Sequence, residues 1–117
     1  FELNDNFYES LAQRINDPRV KIIHDSAEFV QKYLNELGEN TKADAVISSL
    51  PLMVFPEPLR NAVVDASHDC LKKKGKYVQF QYSLQSKKLL ESKYKDVSIK
   101  FTVKNFPSAF VYTCNKA

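Results

Sequence analysis

Two serines and a proline end a short apolar run, Ala45-Val46-Ile47-Ser48-Ser49-Leu50-Pro51-Leu52. A run of this length closed by a turn signal predicts a strand buried on both faces, as in a parallel sheet. Pro51 has no N–H for a ladder and holds Leu50 out of the helical region, so the strand must stop there. In open α/β sheets ligands bind just beyond the carboxyl ends of such strands. The stretch is therefore expected to form one wall of any active site; the plainer alternative is a strand-ending turn.

Other chemistries are poorly represented. Only two glycines, Gly38 and Gly75, stand where average usage would give about eight, which excludes a glycine-rich phosphate loop. No Cys/His/Asp/Glu group has metal-ligand spacing, so no metal is expected. His24 ends an apolar segment and His68 lies on a helical stripe, and no Ser/His/Asp or Cys/His signature accompanies them.

The elements that must carry this wall follow from apolar spacing. Asn4 or Asp5 caps a helix with Phe7, Tyr8, Leu11 and Ile15 on one face, ended by Asp17-Pro18. Val20–His24 reads as a short strand, and Asp25-Ser26 can cap the next helix, with Phe29, Val30, Tyr33, Leu34 and Leu37, closed by Gly38. The strand at 43–49 comes next. Pro56-Glu57-Pro58 then opens a helix lined by Leu59, Ala62, Val63, Ala66, Cys70 and Leu71, closed by Lys72-Lys73-Lys74 with Gly75. A strand at Tyr77–Tyr82 contains Gln79 and Gln81, which need partners if buried. Ser83 or Ser86 caps a lysine-rich helix through Tyr94. Val97, Ile99, Phe101 and Val103 alternate with polar residues, and a turn at Asn105-Phe106-Pro107-Ser108 leads to a last strand, Ala109–Cys114, making an antiparallel hairpin. The alternation predicts one α/β domain spanning 1–117, a mainly parallel sheet with helices on both faces and a C-terminal antiparallel hairpin.

The net charge of +3 hides a split. Residues 1–71 carry six Lys/Arg and twelve Asp/Glu, whereas residues 72–117 carry eleven lysines and two acids. Such asymmetry points to an anionic partner near the C-terminal half, a lipid surface or nucleic acid, against the blander reading of solvated lysines. No apolar run approaches the roughly 20 residues of a spanning helix. Cys70 and Cys114 read as buried small hydrophobes in a reducing compartment.

This order of elements resembles the class I S-adenosylmethionine-dependent methyltransferases, a Rossmann-like fold ending in an antiparallel hairpin. The resemblance enters at the end of that family's second strand. Phe1-Glu2-Leu3-Asn4 looks like its acidic motif, which implies that Glu2, with Leu3 beside it, binds the ribose hydroxyls of S-adenosyl-L-methionine. Asp25-Ser26-Ala27 looks like the adenine-contacting segment; a helix cap is the alternative. Ser49-Leu50-Pro51-Leu52 resembles the fourth motif of amine methyltransferases, which implies that Ser49 Oγ and the Leu50 carbonyl accept hydrogen bonds from the target amine while Ser48 borders the cofactor. Leu52 stands where base-modifying relatives place an aromatic. Ile47-Ser48-Ser49-Leu50-Pro51 and Phe106-Pro107-Ser108-Ala109-Phe110-Val111-Tyr112 look most like bacterial phospholipid N-methyltransferases, with ribosomal RNA adenine dimethylases second.

The resemblance implies a phospholipid amine such as ethanolamine as acceptor, at a cytoplasmic, inner-membrane surface met by Lys87, Lys88, Lys93 and Lys95, with RNA as the alternative partner. The family's first strand and glycine-rich motif have no counterpart here. The domain is thus expected to be N-terminally incomplete, inactive alone, and prone to self-association through unpaired strands.

Overall fold

The computed structural model describes residues 1–102 and 109–117. Asn4 opens the first helix, α1 (Asp5–Arg14), its Oδ1 accepting the Phe7 N–H at 3.0 Å. No residue of α1 is buried, and Phe7 remains 63% exposed, so its apolar stripe does not enter a core. A 3-10 turn, Ala27–Phe29, leads into the short helix α2 (Val30–Asn35). The chain reverses beyond α2 at Gly38, whose φ of +153° favours glycine and whose carbonyl accepts Thr41 N–H and Oγ1–H at 3.1 and 2.7 Å.

The remaining elements are β1 (Ala43–Ser48), α3 (Glu57–Asp69), β2 (Leu71–Gln81), α4 (Lys87–Lys93), β3 (Asp96–Thr102) and β4 (Ala109–Asn115). The strands form one sheet in the order β1-β2-β4-β3, with β1 parallel to β2 and the other two pairs antiparallel. The α/β class holds, and the sheet is mixed, its parallel part being the β1/β2 pair. The hairpin pairs from Asp96 with Asn115 to Thr102 with Ala109. Val103, Lys104 and the turn at Asn105-Phe106-Pro107-Ser108 lie outside the described residues.

Two expected strands do not form. Phe1–Asn4 and Val20–His24 share one backbone bond, from Glu2 N–H to the Ile23 carbonyl at 2.9 Å. A strand needs a row of partners, and among the described residues neither segment has a strand beside it. The expected helix end at Lys72–Gly75 is also displaced. Ala43 N–H donates to the Cys70 carbonyl at 2.7 Å and Ala43 pairs with Leu71, which draws the chain into the sheet directly after α3. Between Ala43 and Ala45 the register slips, so that Ala45 pairs with Lys76, and the surplus residues of β2 bulge out.

Tyr77, Tyr112 and Cys114, flanked by Val46, Val97, Ile99 and Phe110, pack on Leu52, Val63, Val64, Leu71, Leu90 and Tyr94. The register puts all these strand residues on one face. On the other face Val78, Phe80 and Val111 are half-buried and Ile47 is 84% exposed. Where helices on both faces were expected, the buried core of the described residues lies on one face of the sheet. Cys70 and Cys114 are both buried.

Candidate active site

Beyond β1 the chain turns at Pro51, and wholly buried Leu52 anchors a 3-10 turn, Leu52–Val54. Arg60 on α3 holds that turn, donating Nε–H to the Leu52 carbonyl at 2.9 Å and Nη2–H to the Phe55 carbonyl at 3.0 Å. The peptide groups of Leu50 are tied on both sides. Its N–H donates to Ser48 Oγ at 3.2 Å, and its carbonyl accepts Nε2–H from Gln79 at 2.8 Å and from Gln81 at 2.9 Å. Gln79 is wholly buried and Gln81 nearly so, and the Tyr77 hydroxyl donates to Gln79 Oε1. Burial pushes the Tyr77 phenol up to about 12, against a smaller downward pull from its hydrogen bond with Ser48.

Three cavities meet at this loop. Glu2 and Leu3, then Asp25, Ser26 and Ala27, then Leu50 and Pro51 line one of about 240 Å³. Ser48, Ser49 and Leu50 line a second, of about 320 Å³, that follows β1 back to Ala43. Ser49 and Pro51 line a third, of about 280 Å³, with Val54, Phe80, Gln81 and Tyr82. Every residue singled out from the sequence as a site residue therefore borders a cavity that touches the 48–51 loop.

Their polar contacts differ. Glu2 Oε1 accepts the Asn4 N–H at 3.0 Å, and the other carboxylate oxygen has no partner among the described residues. Asp25 is engaged at both oxygens, by the Tyr33 hydroxyl at 2.5 Å and the Ser26 N–H at 2.7 Å. Those bonds, Tyr33 first, hold its carboxyl below the usual range. Ser26 also caps the 3-10 turn, its Oγ accepting the Glu28 N–H at 3.4 Å. Ser49 is exposed at the end of β1, whereas the Leu50 carbonyl already carries three donors, the third being the Leu52 N–H at 2.9 Å.

His24 stacks on Tyr8 and bonds Asp5 at 2.8 Å, and His68 meets the edge of Tyr94. Neither histidine borders the three cavities. Among the described residues no group of three His, Cys, Asp or Glu could hold a metal ion. Sequence reasoning missed Arg60 altogether. It marked Gln79 and Gln81 as amides in need of partners without finding them, since the partner lies 29 and 31 residues away.

No family model and no curated protein matches this sequence. Solved structures do share its fold. An rRNA methylase of Streptococcus thermophilus superposes with a TM-score of 0.69 at 15% identity, over 100% of this chain and 72% of that one. A protein of Clostridium thermocellum taken to be an rRNA methylase superposes with a TM-score of 0.64 at 18% identity, over 100% and 71%. At these identities the likeness is one of fold.

Proposed function

We propose that the protein is an S-adenosylmethionine-dependent N-methyltransferase whose acceptor is a phospholipid amine. The observation that carries this reading is the convergence of Glu2, Asp25, Ser26 and the Leu50-Pro51 turn on one cavity, in a fold shared with two methylases. A carboxylate with an oxygen to spare, beside walls made by Leu3, Ala27, Phe55 and Val63, suits ribose hydroxyls and a flat apolar ring. The residues fit the nucleoside part of the cofactor, with Glu2 as its ribose ligand. When bound, that group supplies a methyl on a positively charged sulfur.

The chain's own contribution is positioning. Ser49 Oγ accepts an N–H of the amine and so orients its lone pair, and a near-attack geometry is worth about 7–11 kcal/mol. A neutral amine brings its own electron pair, so no strong base is required of the protein.

The lipid reading draws on the rim of the Ser49 cavity. Val54 and Tyr82, which line it, are 77% and 62% exposed, and nearby Leu84 is 48% exposed. Lys87 and Lys88 follow on α4, both exposed, while Lys93 is paired with Asp65 at 2.6 Å. An apolar rim beside lysines suits an anionic bilayer, each lysine near the surface contributing about 1 kcal/mol. A second reading, methylation of an RNA adenine, is favoured by Phe80 and Tyr82, set edge to face at 5.3 Å on the same cavity, which offer a base an aromatic face. The names of both structural neighbours point the same way.

Full-length protein, methyl-labelled cofactor, phosphatidylethanolamine vesicles with anionic lipid, and ribosomal RNA provide the test. Label in the lipid extract is the expected result. Label in RNA alone would replace the lipid reading by the second, and label in neither would overturn both.

A further inference from the structure

We propose that Gln79 and Gln81 are positioning residues that clamp the Leu50 carbonyl, leaving the Ser49 hydroxyl as the acceptor that the end of β1 offers to an amine. The inference rests on the methyl-transfer reading and alters its geometry. A carbonyl oxygen has two lone pairs. Here three donors crowd them: Gln79 Nε2–H at 2.8 Å, Gln81 Nε2–H at 2.9 Å and the Leu52 N–H at 2.9 Å.

The clamp follows from the chain's local chemistry. Pro51 gives no N–H, so the strand ladder cannot continue past Leu50. Residues two apart on a strand share a face, and Gln79 pairs with Ser48, so both amides face the residue just beyond the end of β1. They replace the missing ladder. Gln79 is itself locked: its Nε2 also donates to the Phe80 carbonyl at 3.1 Å, its Oε1 accepts from Tyr77, and it is wholly buried. Gln81 borders the cavity that holds Ser49 and Tyr82. Arg60 fixes the turn behind Leu52, and the loop held between these contacts presents Ser49.

Losing either amide leaves the Leu50 oxygen to the Leu52 N–H and one glutamine, and the peptide that carries Ser49 loses one of its side-chain anchors. The Ser49 hydroxyl then shifts from the position in which it orients an incoming amine's lone pair along the reacting direction. The expected effect falls on turnover more than on binding. In Gln81→Met and Gln79→Met, kcat drops by up to about 100-fold, the scale of a misplacement near 1 Å, while the acceptor KM stays level or falls. Binding of S-adenosylhomocysteine stays within a factor of about two, because neither glutamine borders the cavity of Glu2 and Asp25.

Leu50-Pro51 is the only Leu-Pro pair in this sequence. Full-length protein labelled with carbonyl-carbon-13 leucine and nitrogen-15 proline reports this bond by carbon-detected NMR, its resonance being the one that Pro51→Ala removes. Loss of a donor is expected to move the Leu50 carbonyl resonance upfield in each variant. An unmoved resonance in Gln81→Met, the gentler change because Gln81 is not fully enclosed, would overturn the clamp. A moved resonance with unchanged kcat would overturn the positioning role. A parent protein that methylates neither lipid nor RNA would count against the methyl-transfer reading, while the resonance would still decide the clamp.

Discussion

Asp25 shows how a single carboxylate ties a candidate site to the stability of the elements around it. Tyr33 reaches back from α2 to donate its hydroxyl to one carboxylate oxygen, and the Ser26 N–H takes the other. The folded-state pKa is thereby lowered, with Tyr33 the larger cause. A value below that of the unfolded chain adds stability above the ordinary carboxylate range, and this is lost as pH falls through the folded value. Tyr33→Phe removes the larger cause. Its deficit relative to the parent is expected to be widest at neutral pH and to narrow as the pH falls from the ordinary carboxylate range toward the lowered folded value. Urea unfolding midpoints between neutral pH and pH 3 would check this. A deficit that stayed constant would mean that the Tyr33 hydroxyl stabilises the fold independently of the Asp25 charge, since the ring and its edge-to-face contact with Phe1 at 5.6 Å remain in the variant.

At the scale of the element, the start of β2 is the most constrained stretch. A Cβ on Gly75 would stand 2.8 Å from the Lys72 carbonyl oxygen and 3.2 Å from that of Asp44, both backbone atoms that cannot swing aside. Lys74 beside it already has a φ of +63°. Gly75→Ala is therefore expected to lower stability by about 1–3 kcal/mol, the usual cost of overpacking, read as an earlier denaturant midpoint with unchanged slope. From sequence alone this glycine reads as a helix end, because Lys72-Lys73-Lys74-Gly75 has the local chemistry of one. What local chemistry omits is the pairing of Ala43 with Leu71, which decides where α3 must stop. The same gap explains Val20–His24, apolar enough for a strand yet without a ladder to join. The helices α1 and α3 and the strands β1, β3 and β4 were legible because period and capping are local signals. In the site, the strand end at Ser48–Pro51 was legible for the same reason, since hydroxyls followed by proline punctuate any apolar run. The two amides that hold it were visible only as polar residues out of place.

The whole molecule is built on a core that contains ionisable groups held neutral. Tyr94 stacks on Tyr77 at 5.4 Å, with Cys114 in the same cluster. Burial pushes Tyr77 and Cys114 each up to about 12 and raises Tyr94 further still. In an unfolded chain a thiol ionises near about 8.5 and a phenol near about 10. Folded values above unfolded ones contribute stability that is complete below the unfolded pKa and drains away as pH rises toward the folded one. The molecule is thus expected to lose stability from about pH 8.5 upward, gently while only the buried thiols of Cys114 and Cys70 are involved and more steeply once the tyrosines join. Each group adds at most about 1.4 kcal/mol per pH unit. Cys114→Ala separates the two phases. It starts from a lower midpoint at neutral pH because the sulfur's packing is gone, and its stability stays flatter until about pH 10, where the phenols take over. Urea midpoints for parent and variant from pH 7 to 10.5 would show converging curves. Parallel curves would mean that the Cys114 thiol ionises in the folded protein as readily as in the unfolded one, and that the core opens to hydroxide without unfolding.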